Sequence, residues 1–464
     1  MLLSRIEKRL RPMRPVIGAA WLCLFAGMGP AAQAGAPEVD CSRPFVFSEA
    51  GVNAVVLPYT YSGAADKPLS FAGKELSSLI YLNTLFSILK FESVGAVQLV
   101  ARNPLDSKEC TDSIVLDKLF GRRPGATTQI RPGNGLVMLW GRIYEEEEHI
   151  YVQSYVRFLR RGANEDVSFQ TGEERFNAGL ASQVVTFAPQ KLSSEDLDDI
   201  TFEFVHSAGL RDKPDPQEPS RPMPMDMRRY DLPFAYHIVE VRGEWMRVEP
   251  FVPFTRGGWV RAGFGADRWP LRDKMPEMSF VEGLVGYLTY RRSEARDPSH
   301  IASSIQQKIA ESFKRYETAS EAQSGALPKA VERQILGILK TLRRETSPGD
   351  AATTSALFRE AYGLIPESAE ARNLMACAEL WTEWTAAAEN WPNESNIERI
   401  IEGFVGAVAL DPRNDRVLGN LQSFYDLALR LRGSQDSFRA QLVKRRDALT
   451  RLRRANGIAP KPPA

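Results

Sequence analysis

Between residues 262 and 278 the spacing of apolar residues changes period, and this change bounds the fold more tightly than any other feature of the chain. Before it, "LVMLWGRIYEEEEHIYVQSYVRFLRRG" (136–162) alternates. Val137, Leu139 and Ile143 share one face, and Ile150, Val152, Val156 and Phe158 share one on the return arm, which predicts a long hairpin with one buried side. After it the period is helical. "AVERQILGILKTL" (330–342) puts Val331, Ile335, Leu336 and Leu339 on one face. A sheet-bearing half must therefore precede a wholly helical half. With 464 residues the chain exceeds one ordinary core, so two to four domains are expected.

Charge narrows the partners. Lys+Arg number 59 and Asp+Glu 58, leaving a formal net charge of +1. A nucleic-acid partner calls for a basic surplus or a basic face. The locally basic "VKRRDALTRLRR" (443–454) is interleaved with acidic and apolar residues and reads as an amphipathic helix, so no nucleic-acid partner is expected.

The N-terminus addresses the compartment. "MLLSRIEKRLRPMRPV" carries Arg5, Lys8, Arg9, Arg11 and Arg14, and the apolar run "IGAAWLCLFAGM" and the small-residue site "GPAAQA" follow. That order reads as a secretory signal peptide over 1–34, with cleavage expected after Ala34 and the periplasm as the expected destination. An uncleaved anchor is the alternative. No other segment has the roughly 18 apolar residues a span needs, so no membrane span is expected after cleavage. Export permits cystine. The mature chain keeps Cys41, Cys110 and Cys377. A Cys41–Cys110 disulfide would close a loop of about 70 residues, worth about 4 kcal/mol on the chain-entropy model. Cys377, on a helical pattern, reads as a small buried apolar residue.

The first domain is placed at 41–205. "NAVVLPY" (53–59) is a short buried strand. "GKELSSLIYLNTLFSILKF" (73–91) sets Leu76, Leu79, Ile80, Phe86 and Leu89 on a helical stripe, and "GAVQLVA" (95–101) returns as a strand. Strand, helix, strand this close together predicts a parallel pair with a crossover helix. The acidic run 145–148 reads as a solvated turn rather than a calcium site, because four adjacent side chains diverge. "VVLPYTYSGAAD", the helix, "VQLVAR" and the long hairpin together resemble the N-terminal domain of TolB and its flagellar and curli-secretion accessory relatives. The resemblance implies a periplasmic α/β module that docks proteins or assembles into envelope structures, and it carries over no functional residue.

"RDKPDPQEPSRPMPM" holds five prolines within 211–224 and predicts a stiff extended linker over 207–232. The unit at 233–268 follows. "FAYHIVEVRGEWMRV" gives two strands around a Gly243 turn, with Trp245 and Val248 on the second, and "FTRGGWVRAG" gives a turn and a strand with Trp259 and Val260. The pair of motifs resembles the bacterial SH3-like family. This resemblance implies a small all-β five-strand barrel whose Trp residues are partly core and partly ligand groove. Trp245 and Trp259 are the candidate ligand-binding residues, with Gly258 allowing the turn, and peptidoglycan or a protein peptide is the implied ligand. An aromatic slot suits either, since a flat π face takes prolines, sugar rings or arginine alike. Both Trp residues simply closing the barrel is the other reading.

Residues 278–455 form the all-α part. "SALFREAYGLIP" offers Phe358, Ala361 and Pro366, followed by Met375 and Ala376. "GFVGAVALDPRNDRVLGNLQSFYDLAL" offers Phe404, Ala407 and Pro412, then Leu418, Leu421 and Tyr425. These resemble tetratricopeptide units, but the two prolines stand 46 residues apart where the family has 34, with "WTAAAENWPNESN" (384–396) read as the insert. The resemblance implies a concave face for a partner peptide or helix.

The chain contains no GxSxG elbow, HExxH, Walker loop or GxGxxG. His149, His206, His237 and His300 are scattered, none with a Cys or His at ligand spacing. No catalysis, metal or cofactor is expected. The fold class expected is multidomain: an α/β domain, a small all-β barrel and an all-α repeat domain. The expected function is a non-enzymatic periplasmic adaptor that binds envelope proteins. A peptidoglycan-targeted enzyme, or an activator of one, is the alternative. A third reading is a structural assembly subunit.

Overall fold

The computed structural model describes residues 51–57, 59–61, parts of 76–91, 95–99, 135–146, 149–160, 167–180, 184–193, 195–196, 209–222, 234–243, 245–250, 257–261, 270–294, 302–320, 325–342, 348–387, 394–430 and 436–458. The expected signal peptide, Cys41, Cys110, His206 and His300 lie outside the described residues.

The centre of the sheet is β1 (Val52–Val56), buried at all five positions, as a strand covered on both faces must be. It runs parallel to β3 (Gly95–Leu99) on one side and to β4 (Gly135–Glu146) on the other, and the short β2 (Thr60–Tyr61) extends the β4 side. The chain between β1 and β3 is helical at its described positions from Leu76 to Lys90, which is the expected crossover. Leu76 and Ile80 are buried there, whereas Leu79, Phe86 and Leu89 lie outside the described residues.

β4 and β5 (His149–Arg160) form the long hairpin, in register from Gly135↔Arg160 to Glu146↔His149. The seven residues expected on its inner face are all buried. The separate hairpin β6 (Val167–Thr171) and β7 (Glu174–Ala178) comes next, and then β8 (Val184–Thr186) and β9 (Gln190–Leu192) add to the outer side of β5.

Two expectations are corrected here. The proline-rich stretch does not run as an extended linker. β10 (Gly209–Leu210) pairs with β11 (Arg221–Pro222), and the loop between them is held by Arg211, whose Nη1 donates to the carbonyls of Pro216 (3.0 Å) and Glu218. Proline at a strand end costs no ladder donor, so Pro222 is tolerated in a two-residue edge strand.

The Trp unit is likewise no separate barrel among the described residues. β12 (Phe234–Arg242) pairs antiparallel with β3, from Phe234↔Leu99 to His237↔Ala96. β13 (Trp245–Pro250) and β14 (Gly258–Arg261) follow, giving the order β14-β13-β12-β3-β1-β4-β5-β8. The three described strands join the main sheet edge to edge instead of closing on one another. An open edge at β3 presents unpaired backbone groups that these strands satisfy. Met246, Val248 and Val260 face inward and belong to the same core as β1.

The helical half contains α1 (Pro270–Lys274), α2 (Glu277–Glu294), α3 (Ala302–Ser320), α4 (Ala326–Leu342), α5 (Pro348–Leu364), α6 (Ala369–Ala387), α7 (Glu394–Leu410), α8 (Asp415–Arg430) and α9 (Asp436–Ala455). α5 and α7 begin at 348 and 394, and α6 and α8 at 369 and 415, so both pairs are offset by 46 residues. The turns repeat as well. Ser368 Oγ caps α6 through the Ala371 N–H (3.2 Å), and Asn414 Oδ1 caps α8 through the Val417 N–H (3.3 Å). Residues 384–387, expected in an insert, continue α6 instead, and 394–396 begin α7.

α2 lies on the sheet and is tied down by one carboxylate. Glu282 is wholly buried and accepts from Arg272 Nη1 (2.6 Å), Arg315 Nη2 (2.7 Å), Ser312 Oγ and Lys90 Nζ. Burial by itself would raise the Glu282 carboxyl, but the Arg272 and Lys90 charges outweigh it and hold it below the ordinary carboxylate range. A further turn along, Gly286 lets α2 close on Phe91, since a Cβ there would stand 2.3 Å from the ring.

Removing one partner of a buried ion pair leaves the others uncompensated. Glu282→Gln is therefore expected to cost about 3–5 kcal/mol in denaturant-induced unfolding. A loss under about 1 kcal/mol would mean that packing rather than charge holds α2 to the sheet.

Candidate functional site

The strands β12–β14 present two faces. Met246, Val248 and Val260 go to the core, so by alternation Trp245, Arg247, Trp259 and Arg261 share the other face. Across this face Arg242 pairs with Trp245 and Trp245 with Arg261, and in the next row Glu240 pairs with Arg247 and Arg247 with Trp259. The turn between β12 and β13 is made at Gly243, with φ of 57°.

The indoles are not an open slot. Trp245 and Trp259 are each 6% exposed. The Arg211 guanidinium lies 5.7 Å from the Trp245 ring centre, Arg261 lies 5.9 Å from it, and Arg242 lies 5.0 Å from that of Trp259. Each such contact contributes on the order of 0.5–2 kcal/mol. Arg242 and Arg247 remain largely exposed, flanked by Glu240 and Glu249 at 2.6 and 3.1 Å. The surface offered is thus guanidinium layered on indole. Sequence patterning identifies the Trp positions but not Arg211, which comes from the proline-rich stretch.

That stretch is fastened to the sheet. Arg211 and Trp259 exchange backbone hydrogen bonds of 2.8 and 2.7 Å, and Arg221 donates to the Gly257 carbonyl at 2.6 Å. Gly258 permits the close approach, because a Cβ would meet the Arg211 carbonyl oxygen at 2.8 Å. Its role is thus to admit a neighbouring backbone, a different one from the turn expected of it.

Strongly perturbed acids mark many active sites, so Glu277 and Glu332, whose carboxyls burial raises furthest among the described residues, bear on the question of catalysis. Tyr59 donates to Ser154 Oγ (3.1 Å), which donates to Glu277 Oε1 (2.7 Å), at the seam between β5 and α2. Burial pushes the Glu277 carboxyl up to about 7, more than the Ser154 hydroxyl lowers it. Glu332 on α4 is raised to about 8 by burial and then by Glu317, against the pull of Arg333. Each is only 1% exposed, so neither reaches a substrate as the molecule stands.

Cys377 is a free, buried thiol, as expected, 3.3 Å from Asn420 Nδ2. His149 lies exposed at the start of β5. Among the described residues no group of three His, Cys, Asp or Glu could hold a metal ion, and no helix is long and apolar enough to cross a membrane.

Two outcomes are expected. Gly258→Ala should detach the 209–222 hairpin at a cost of about 1–3 kcal/mol. It should also open that loop to proteolysis and alter tryptophan fluorescence as Arg211 withdraws. For Glu277, the folded state keeps a proton that the unfolded chain releases near pH 4.5. Its stabilising effect is full below that pH and is lost as pH rises through about 7. Glu277→Gln should flatten this dependence and be the more stable protein at pH 8, by roughly 3 kcal/mol, in denaturation series at pH 4, 6 and 8. Equal pH profiles would place the titration elsewhere.

No protein-family model matches the chain, and no curated protein or solved structure matches it either.

Proposed function

We propose that the chain is a non-enzymatic adaptor of the periplasm that holds an envelope partner on its Trp–Arg face. The observation carrying this reading is the layering of three guanidiniums over two indoles on one sheet face, with Arg242 and Arg247 reaching solvent. Arginine stacked on tryptophan turns its N–H edge outward, where Arg242 already holds the Glu240 carboxylate, and both residue types are enriched where binding energy concentrates. The signal-like N-terminus supports the compartment. In this reading the ligand surface is the outer face of β12–β14, which extend the main sheet. The enclosure of Glu277 and Glu332 also favours binding.

The purified mature protein is to be mixed with isolated cell-wall sacculi and sedimented, beside Arg242→Ala/Arg247→Ala and Trp259→Ala variants. Retention in the supernatant, with periplasmic crosslinks to a protein that the arginine variant loses, is the expected result. Pelleting that the arginine variant abolishes would make peptidoglycan the ligand of the same face. Crosslinks or pelleting unchanged by both variants would remove the face from the function.

A further inference from the structure

Among the described residues the hairpin β6–β7 pairs with no strand of the main sheet, and it is seated among the helices. Two aromatic anchors hold it. The Phe169 ring centre stands 5.8 Å from Trp381 and 6.3 Å from Phe358, and Phe176 stands 6.0 Å from Phe404 and 6.4 Å from Phe424. Phe358 and Phe404 are equivalent positions of the two offset helix pairs, so each pair receives one anchor.

Between the anchors the helices read backbone. Asn420 Oδ1 accepts from the Asn177 N–H at 3.0 Å, and Asn420 Nδ2 donates to the Asn177 carbonyl at 2.7 Å. Asn373 Nδ2 also donates to that carbonyl at 3.3 Å and accepts from Asn420 at 2.9 Å. A side-chain amide that pairs with both main-chain groups of one residue grips any extended strand, whatever its side chain. An ion pair between Arg430 and Glu174 closes the turn end.

We propose that this helical surface is a recognition groove for a β-hairpin and that β6–β7 is its resident occupant, so that an outside partner binds there only by displacing it. The partner chemistry follows from the contacts: a hairpin with one aromatic side chain on each strand facing the helices, an acidic residue near the turn and an unobstructed backbone opposite Asn420. The inference is independent of the Trp–Arg face. The occupant is tethered at both ends, to β5 and to β8, and tethering over short segments gives an effective concentration of about millimolar. A free hairpin of equal quality therefore competes poorly until the resident anchors are weakened.

Two measurements on the full mature chain test this. Native-state hydrogen exchange should show the amides of 167–178 opening at least about a hundredfold more often than those of β1 and β4, and Asn420→Ala should raise the hairpin's opening alone. Exchange of the hairpin only with global unfolding would overturn the proposal and make β6–β7 a permanent brace. A labelled synthetic peptide of residues 165–180 should bind the Phe169→Ala/Phe176→Ala chain at micromolar concentration and leave the unaltered chain unbound. Binding to both alike, or to neither, would equally overturn it.

Discussion

The fold turns on a single buried carboxylate. Glu282 on α2 gathers Lys90 from the end of the crossover helix, Arg272 from α1, and Ser312 and Arg315 from α3. An ionised group inside a low-dielectric core is costly unless paired, and here the crossover helix, α1 and α3 each supply a donor. The arrangement is directional as well as strong: α2 fits only in the register that brings Glu282 to all of them. With α2 fixed, its N-terminal Glu277 meets Ser154 on β5 and Gly286 meets Phe91. The sheet half and the helical half thus share one continuous core.

Two returns of the chain build the surfaces that bear on function. In the first, β12 pairs with β3 across more than a hundred residues of sequence, and the 209–222 hairpin then fastens onto β14. Only this return brings Arg211 over Trp245. In the second, β6–β7 leaves the sheet and enters the helical half, where Asn177 and Asn420 meet across a separation of 243 residues. The two helix pairs each present a phenylalanine inward, and the hairpin answers with Phe176 and Phe169. The side of these helix pairs that bears Phe358 and Phe404 is covered by the hairpin.

Much of the local structure was legible in the chain. The alternation of 137–158 specifies the long hairpin and its inner face, because period-two patterning leaves one register with a buried side. The strand–helix–strand order around 53–99 requires the parallel pair. The 46-residue recurrence of Phe, Ala and Pro between 358 and 412 marks the two related helix pairs, and burial of Cys377 follows from its place on a helical pattern. The proline-rich stretch was misread because prolines forbid a central strand but allow a two-residue edge pair. Short strands of that length leave no periodic trace. Trp245 and Trp259 were identifiable as a unit, yet their shielding by arginines from three separate segments was not.

The sequence by itself determined element type, the change from strand to helix near residue 270, and which side chains turn inward along the long hairpin. These depend on spacing within one segment. The tertiary structure alone decided that β12–β14 extend the sheet instead of closing a barrel, that Glu282 binds four partners, and that β6–β7 occupies the helices. Edge strands pair through backbone groups common to every residue, so the choice of neighbour leaves no mark in composition or period. A buried charge finds its partners through distances set by packing, which no short stretch of chain contains.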